Sequence, residues 1–154
     1  MSNDPTLLTF KTTQGVLYHQ RESLVYVSMT IRRAIEYDPM ETNFNLSLTF
    51  WQIYLAFRFL DTLRVPDDNQ EWLDLIFAIS YFDVIPVYQS LLTNAARDYL
   101  KKVGIPHYPI ITLHEIIQKL KNPHYVTDAE RKLSLPQHTP CTHEQRKRNS
   151  CILI

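Results

Sequence analysis

The sequence predicts an α+β domain, with a small sheet in its N-terminal half and helices through its C-terminal half. Three observations predict it. Two short alternating runs flank a glycine near the start. The apolar spacing then takes a helical period from residue 28, interrupted only by one more alternating run. Prolines and capping residues cut the remainder into helix-length pieces.

Residues 7–12 and 16–20 read as two strands around Thr13-Gln14-Gly15, where the glycine supplies the positive φ of a tight hairpin loop. Ser28 is a cap, and Ile31, Ala34 and Ile35 follow at helical spacing before Pro39. Residues 43–48 alternate, with Phe44, Leu46 and Leu48 on one face, and predict a third strand. A helix over 50–63 carries the stripe Ile53, Ala56, Phe57, Leu60 and Leu63. Trp51 and Tyr54 lie off that stripe, open to either core or interface. Val65-Pro66-Asp67-Asp68 ends it, and Asp68, three residues before Glu71, starts a helix over 70–81 with Trp72, Leu75, Ile76 and Ile79 on one face. Pro86 fits the first turn of a helix over 86–102, with Val87, Leu91, Ala95 and Tyr99 in line. Residues 103–111 read as a loop. Thr112 to Glu115 and Thr127 to Glu130 are both Thr-x-x-Glu capping boxes, opening helices over 113–121 and 128–134. Beyond residue 135 no periodicity remains, which predicts a polar, flexible tail.

Composition bounds the function. The 154 residues carry 16 Lys+Arg against 16 Asp+Glu, and this zero balance argues against nucleic acid as a partner. Apolar residues at 45% suffice for one core. Two cysteines make no disulfide framework and suggest a reducing compartment. No apolar run reaches membrane-spanning length and the N-terminus lacks the pattern of a signal peptide, so a cytoplasmic location is expected. With two glycines in the chain, Gly-rich phosphate loops are disfavoured. His19, His107, His114 and His124 fall on separate elements without ligand spacing and read as surface or loop histidines. The cluster HTPCTH at 138–143 lacks the four ordered ligands of a zinc site, and Cys141 beside His143 lacks the third group of a nucleophilic centre. No metal, cofactor or catalytic residue is therefore expected, and the chain reads as a non-enzyme.

Four segments, in order, resemble one family. TTQGVLYHQRESLVYVSMTIRRAIE (12–36) is similar to the N-terminal strand–strand–helix of the S-phase-kinase-associated adaptor subunit of SCF ubiquitin ligases, with Gly15, Leu17, Tyr18, Ser28, Thr30, Ile31 and Glu36 matching. NFNLSLTFWQIYLAFRFLDTLRVPDD resembles its next strand, helix and acidic loop. ISYFDVIPVYQSLLTNAARDYL (79–100) resembles its Ala-Asn-Tyr-Leu-Asp-Ile turn and following helix, and TLHEIIQKL its Thr-x-Glu-Glu-Ile helix. The resemblance covers roughly residues 6–134. It implies a BTB/POZ-like domain over 6–102, F-box-binding-type helices over 112–134, and a tail over 135–154. By the same resemblance the chain is a non-catalytic adaptor joining a cullin to an F-box protein. Ser80 and Tyr81 then become cullin contacts, and Leu113, Ile116, Ile117, Leu120 and Tyr125 F-box contacts. Three features depart from the family: Ser80 stands where it has Asn, VGIPHYPI lengthens a loop, and LSLPQHTPC replaces its last helix. Two alternatives keep the fold: a scaffold that binds F-box proteins without cullin, and a self-associating BTB-type protein.

The last four residues, Cys151-Ile152-Leu153-Ile154, form a C-a-a-X box, which makes Cys151 a prenylation site and a prenyltransferase a transient partner. Ile154 favours geranylgeranyl over farnesyl. One lipid chain holds a membrane only reversibly. Arg146, Lys147 and Arg148 add a basic patch worth about 1 kcal/mol per charge at an anionic surface, and Cys141 is a candidate palmitoyl site. The expected location is thus the cytosolic face of a membrane, or the nucleus without the lipid.

Overall fold

The computed structural model describes residues 6–105 and 112–134. Strands β1 (Leu7–Thr12) and β2 (Gly15–Gln20) form an antiparallel hairpin in the register Thr12↔Gly15 to Leu7↔Gln20. Its turn is organised by the Thr12 hydroxyl, which donates to the Gly15 carbonyl at 2.8 Å and accepts from the Gln14 and Gly15 amides. Gly15 has φ +155°, and a Cβ there would stand 3.3 Å from the Phe50 ring. Strand β3 (Asn43–Asn45) runs parallel to β1 on its other side, giving the order β2-β1-β3.

The third strand is shorter than the alternation over 43–48 predicts. Leu48 is buried, so the inward pattern persists, but the chain turns off the sheet to present Thr49 as a helix cap. Thr49 and Gln52 form a reciprocal capping box that opens α3 (Phe50–Thr62).

Helix α1 (Arg21–Val27) occupies a stretch that the pattern left unassigned. Its start carries no side-chain cap, so sequence offers no signal. Its last carbonyls are satisfied from the next helix, α2 (Met29–Tyr37): Arg32 donates to the Val25 and Tyr26 oxygens at 3.0 and 2.6 Å. Ser28, the predicted cap, accepts from the Ile31 amide and donates to the Phe82 carbonyl at 2.6 Å. Around it Met29 N bonds Asp83 O, Ile85 N bonds Val27 O, and Ser28 bridges to Val84. The α1–α2 corner is thereby locked to the corner between α4 (Asn69–Phe82) and α5 (Pro86–Lys102).

Asp68 caps α4 through the Glu71 amide, and Pro86 opens α5, both as the sequence predicts. The face of α5 differs from the expected line. Val87 and Leu91 are 56% and 39% exposed; Tyr99 is buried as expected, and Leu92, Ala96 and Leu100 join it in the core. The two readings differ by one residue of rotation, which spacing alone does not separate.

Helices α6 (Leu113–Lys121) and α7 (Asp128–Ser134) complete the described chain. Ile116 and Leu120 of α6 join the same hydrophobic cluster as Phe10, Ile53, Trp72 and Leu92, so the C-terminal helices extend one core rather than build a second.

Candidate docking surfaces on α4 and α6

Ser80 and Tyr81 lie in the last turn of α4. Ser80 is exposed. Tyr81 is half-buried, with its ring set edge-on to Phe82 at 6.1 Å, while its carbonyl accepts from the Thr30 hydroxyl at 2.8 Å. The backbone here is fixed from α2, so the pair sits on a rigid base.

The five residues assigned to α6 and the turn after it divide. Leu113, Ile117 and Tyr125 are half-buried and reach the surface. Ile116 and Leu120 do not: both are core residues packed inward, so the structure does not offer them as contacts. The physical reason is the rotation of α6 about its axis: its core side runs through Ile116, Lys119 and Leu120, which leaves Leu113 and Ile117 at the edge.

Between the α4 and α6 walls lies a groove of about 550 Å³. Leu73, Asp74, Phe77 and Ser80 form one wall, Ile117 and Lys121 the other, with Gln52 of α3 at one end. Phe77 is 55% exposed in the middle of its helix. Asp74 Oδ1 accepts from the Gln52 and Gln70 amides at 3.2 and 3.4 Å. Ser80 and Ile117, assigned to two different partners by resemblance, thus line one feature.

The C-terminal arm, α6 with α7, is held together by a buried charge. Lys119 is 0% exposed, on the same side of α6 as Ile116 and Leu120. Its ammonium donates to Glu130 Oε1 at 2.7 Å and to the Tyr125 carbonyl at 3.0 Å. The same Oε1 accepts from the Thr127 hydroxyl at 2.9 Å and faces its amide at 3.4 Å. Burial opposes ionisation of Glu130, but the Lys119 and Thr127 hydrogen bonds and the Lys119 charge outweigh it and hold the carboxyl below its ordinary value. Sequence reasoning missed this pair. Lys119 falling three residues after Ile116 was the available signal.

Two further features lie apart from the groove. Trp51 and Tyr54 stack at 5.1 Å on the outside of α3, 43% and 37% exposed, with the Arg58 guanidinium over the Tyr54 ring; the structure decides for surface over core. His19 corrects the reading of the body histidines, since it is buried. Alternation along β2 turns it toward α3, where it packs on Phe57 at 4.6 Å and bonds Asp61 Oδ1 through Nε2 at 2.8 Å. His114 and His124 are exposed as expected. His107, Cys141, Cys151 and the patch Arg146, Lys147 and Arg148 lie outside the described residues.

Among the described residues no group of His, Cys, Asp and Glu could hold a metal ion, and no helix is long and apolar enough to cross a membrane. Comparison with family models, with curated proteins and with solved structures finds no match in any of the three.

Proposed function

We propose that this chain is a non-catalytic adaptor that holds an F-box substrate receptor and a cullin together in an SCF-type ubiquitin ligase. The observation that carries the reading is the order of elements against the segments that suggested it. The 12–36 segment takes in the end of β1, then β2, α1 and most of α2. Strand and helix follow at Asn43–Asn45 and Phe50–Thr62. The 79–100 stretch spans the α4–α5 corner, and TLHEIIQKL is the capped α6. The mechanism is positional: fixing two partners on one scaffold raises the effective concentration of substrate at the transfer site without any bond being made by the scaffold itself.

Tyr81, on its fixed backbone, is the proposed cullin contact, and the exposed parts of α6 and the turn after it the receptor contact. Affinity capture of the tagged protein from its own cells is expected to bring down a cullin and an F-box protein together; recovery of neither overturns the reading. Tyr81→Lys is expected to lose cullin and keep the F-box protein. Equal loss of both makes Tyr81 a structural residue.

A second reading, an adaptor-like scaffold without cullin, is favoured by Ser80, which replaces the Asn of the family pair. Capture of an F-box protein with no cullin supports it. The lipid tether expected at Cys151 is tested apart from both. Intact mass of the native protein is expected to show loss of three residues and gain of an isoprenoid and a methyl. An unaltered mass removes the tether.

A further inference from the structure

Tyr37 and Met40 are the most exposed large apolar side chains among the described residues, at 93% and 86%. They stand three positions apart where α2 runs out. Tyr37 is the last residue of the helix, Asp38 leaves it in an extended conformation, and Pro39 stops it. The turn beyond is closed by the Met40 amide donating to Asp38 Oδ1 at 3.2 Å, the Glu41 amide to the Asp38 carbonyl at 3.0 Å and the Arg21 guanidinium to the Pro39 carbonyl at 2.9 Å. Residues 36–40 are all exposed, so opening that turn is a local event that leaves α2 anchored through the buried Ile31 and Ile35. Glu36 and Asp38 flank the phenol, and Glu41 follows Met40.

The chain repeats this spacing at Tyr26 and Met29, and the structure treats it differently. Tyr26 is 68% exposed, but Val27 and Ser28 are buried and Met29 is half-buried. The Ser28 hydroxyl is bonded to the Phe82 carbonyl, and the Met29 amide to the Asp83 carbonyl. The fold thus presents one Tyr-x-x-Met segment and locks the other into a corner. A lone exposed apolar residue asks for no explanation. An exposed pair in an acidic segment that can open does.

These features select among partners. An anionic lipid surface would accept a tyrosine and a methionine, but the carboxylates of Glu36, Asp38 and Glu41 oppose it. The same carboxylates favour a kinase with a cationic substrate groove. Phosphorylation would give the phenol about two negative charges and strong acceptor oxygens, a group that arginines grip. A thioether three residues on, about 10 Å along an extended chain, reaches a second, apolar pocket and adapts to its shape.

We propose that Tyr37 is a phosphorylation site, and that phosphorylated Tyr37 together with Met40 is read by a phosphotyrosine-binding domain of the Src-homology type, with arginines for the phosphate and an apolar pocket for the methionine. In the transfer, Tyr37 Oη attacks the γ-phosphorus of a nucleoside triphosphate held by a tyrosine kinase. The new P–O bond forms as the bond to the nucleoside diphosphate breaks, and the phenol proton passes to the kinase's catalytic carboxylate. The proposal is independent of the adaptor reading: it needs only the end of α2 and holds whether or not a cullin is captured.

The test treats full-length protein with magnesium ATP and a recombinant tyrosine kinase domain selective for acidic flanks, and maps phosphate by tandem mass spectrometry. Synthetic peptides of residues 20–32 and 31–43 give the rates of the two sites without the fold. The preference for Tyr37 over Tyr26 is expected to rise about tenfold or more from the peptides to the folded protein, because the corner at Ser28 stays closed. Phosphorylated protein is then titrated with an isolated Src-homology-type domain whose third pocket is apolar. It is expected to bind about 100-fold more tightly than the unmodified protein. Met40→Ser is expected to keep the phosphate and lose about tenfold in affinity. Tyr37→Phe loses both phosphate and binding, and Tyr26→Phe loses neither.

All three substitutions fall on exposed side chains, and a circular dichroism spectrum matching the wild type checks the fold. No phosphate on Tyr37 of the folded protein, a site preference no higher than that of the peptides, or an affinity indifferent to Met40→Ser overturns the proposal. Protein purified from its own cells after inhibition of tyrosine phosphatases is expected to carry phosphate on Tyr37. Its absence there overturns the proposal even if the purified kinase modifies the site.

Discussion

Phe10 on the central strand meets three aromatic rings: Phe44 stacked at 5.3 Å, Phe57 edge-on at 5.2 Å, and Phe82 edge-on at 6.2 Å. Lys119 on α6 meets polar groups, among them the Glu130 carboxylate and the Tyr125 carbonyl. Both side chains are fully buried, yet they join their surroundings by different physics. The centre of the sheet around Phe10 is held by apolar area and packing, which are spread over many contacts and carry no titratable group. The C-terminal arm is held at its far end by a few directional bonds converging on a single oxygen, Glu130 Oε1. Such bonds stabilise only while every partner is present. The sheet half should therefore degrade gradually under substitution, and the arm should fail at one atom.

The largest effect expected is in the sheet half. Phe10→Ala removes the ring at the centre of the aromatic cluster and should cost about 3–5 kcal/mol, read as a lower urea midpoint for the whole molecule. Next comes Glu130→Ala, which removes the carboxylate paired with the buried Lys119 ammonium and should cost about 3 kcal/mol. Hydrogen exchange should locate that loss in α6 and α7, with β1 protection unchanged. Uniform loss over both regions would show that the arm and the sheet unfold together and that the contrast drawn here is only spatial. Replacing both partners, Lys119→Met with Glu130→Leu, should recover most of the stability, because the pair is then exchanged for packing.

Acid separates the halves by a different route. The folded-state pKa of Glu130 lies below its ordinary value of 4.5, so unfolding favours proton uptake and the ionised pair stabilises the arm above about that pH. As pH falls through 4.5 and past the lower folded value, that contribution disappears. Exchange protection in α7 should fall over this window while the amides around Phe10 hold theirs. Parallel loss in both regions would contradict the assignment. The smallest effect belongs to α5: Leu91→Ser, on the face that spacing marked as apolar, should shift stability by no more than about 0.5 kcal/mol.

These differences follow what a linear sequence encodes. A cap needs one side chain and one amide three residues apart, so Ser28, Asp68, Thr112 and Thr127 announced their helices directly. Helix α1 has no such cap. Its carbonyls are satisfied by Arg32 from the next helix, a bond that appears only once the corner is folded. The face of α5 and the burial of Ile116 and Leu120 depend on how far a helix rotates on its neighbour, which periodicity brackets only within a residue or so. Of the groove, the sequence singled out Ser80 and Ile117 by resemblance, but not their meeting. Ser80 and Ile117 are far apart in the chain, and only the packing of α6 on α4 makes them neighbours. The burial of Lys119 had no local cue to its partner, which lies beyond a turn, in another helix.

The hydroxyl of Ser28, shared between its own helix and the Phe82 carbonyl, works as a pin through two hinges. It ties the end of α4 to the corner between α1 and α2. A fragment beginning after residue 28 would keep every side chain of the groove and lose the alignment of its wall. Leverage applied at Tyr81 would likewise travel back through that pin to the corner between α1 and α2, making that corner the anvil against which the end of α4 is set.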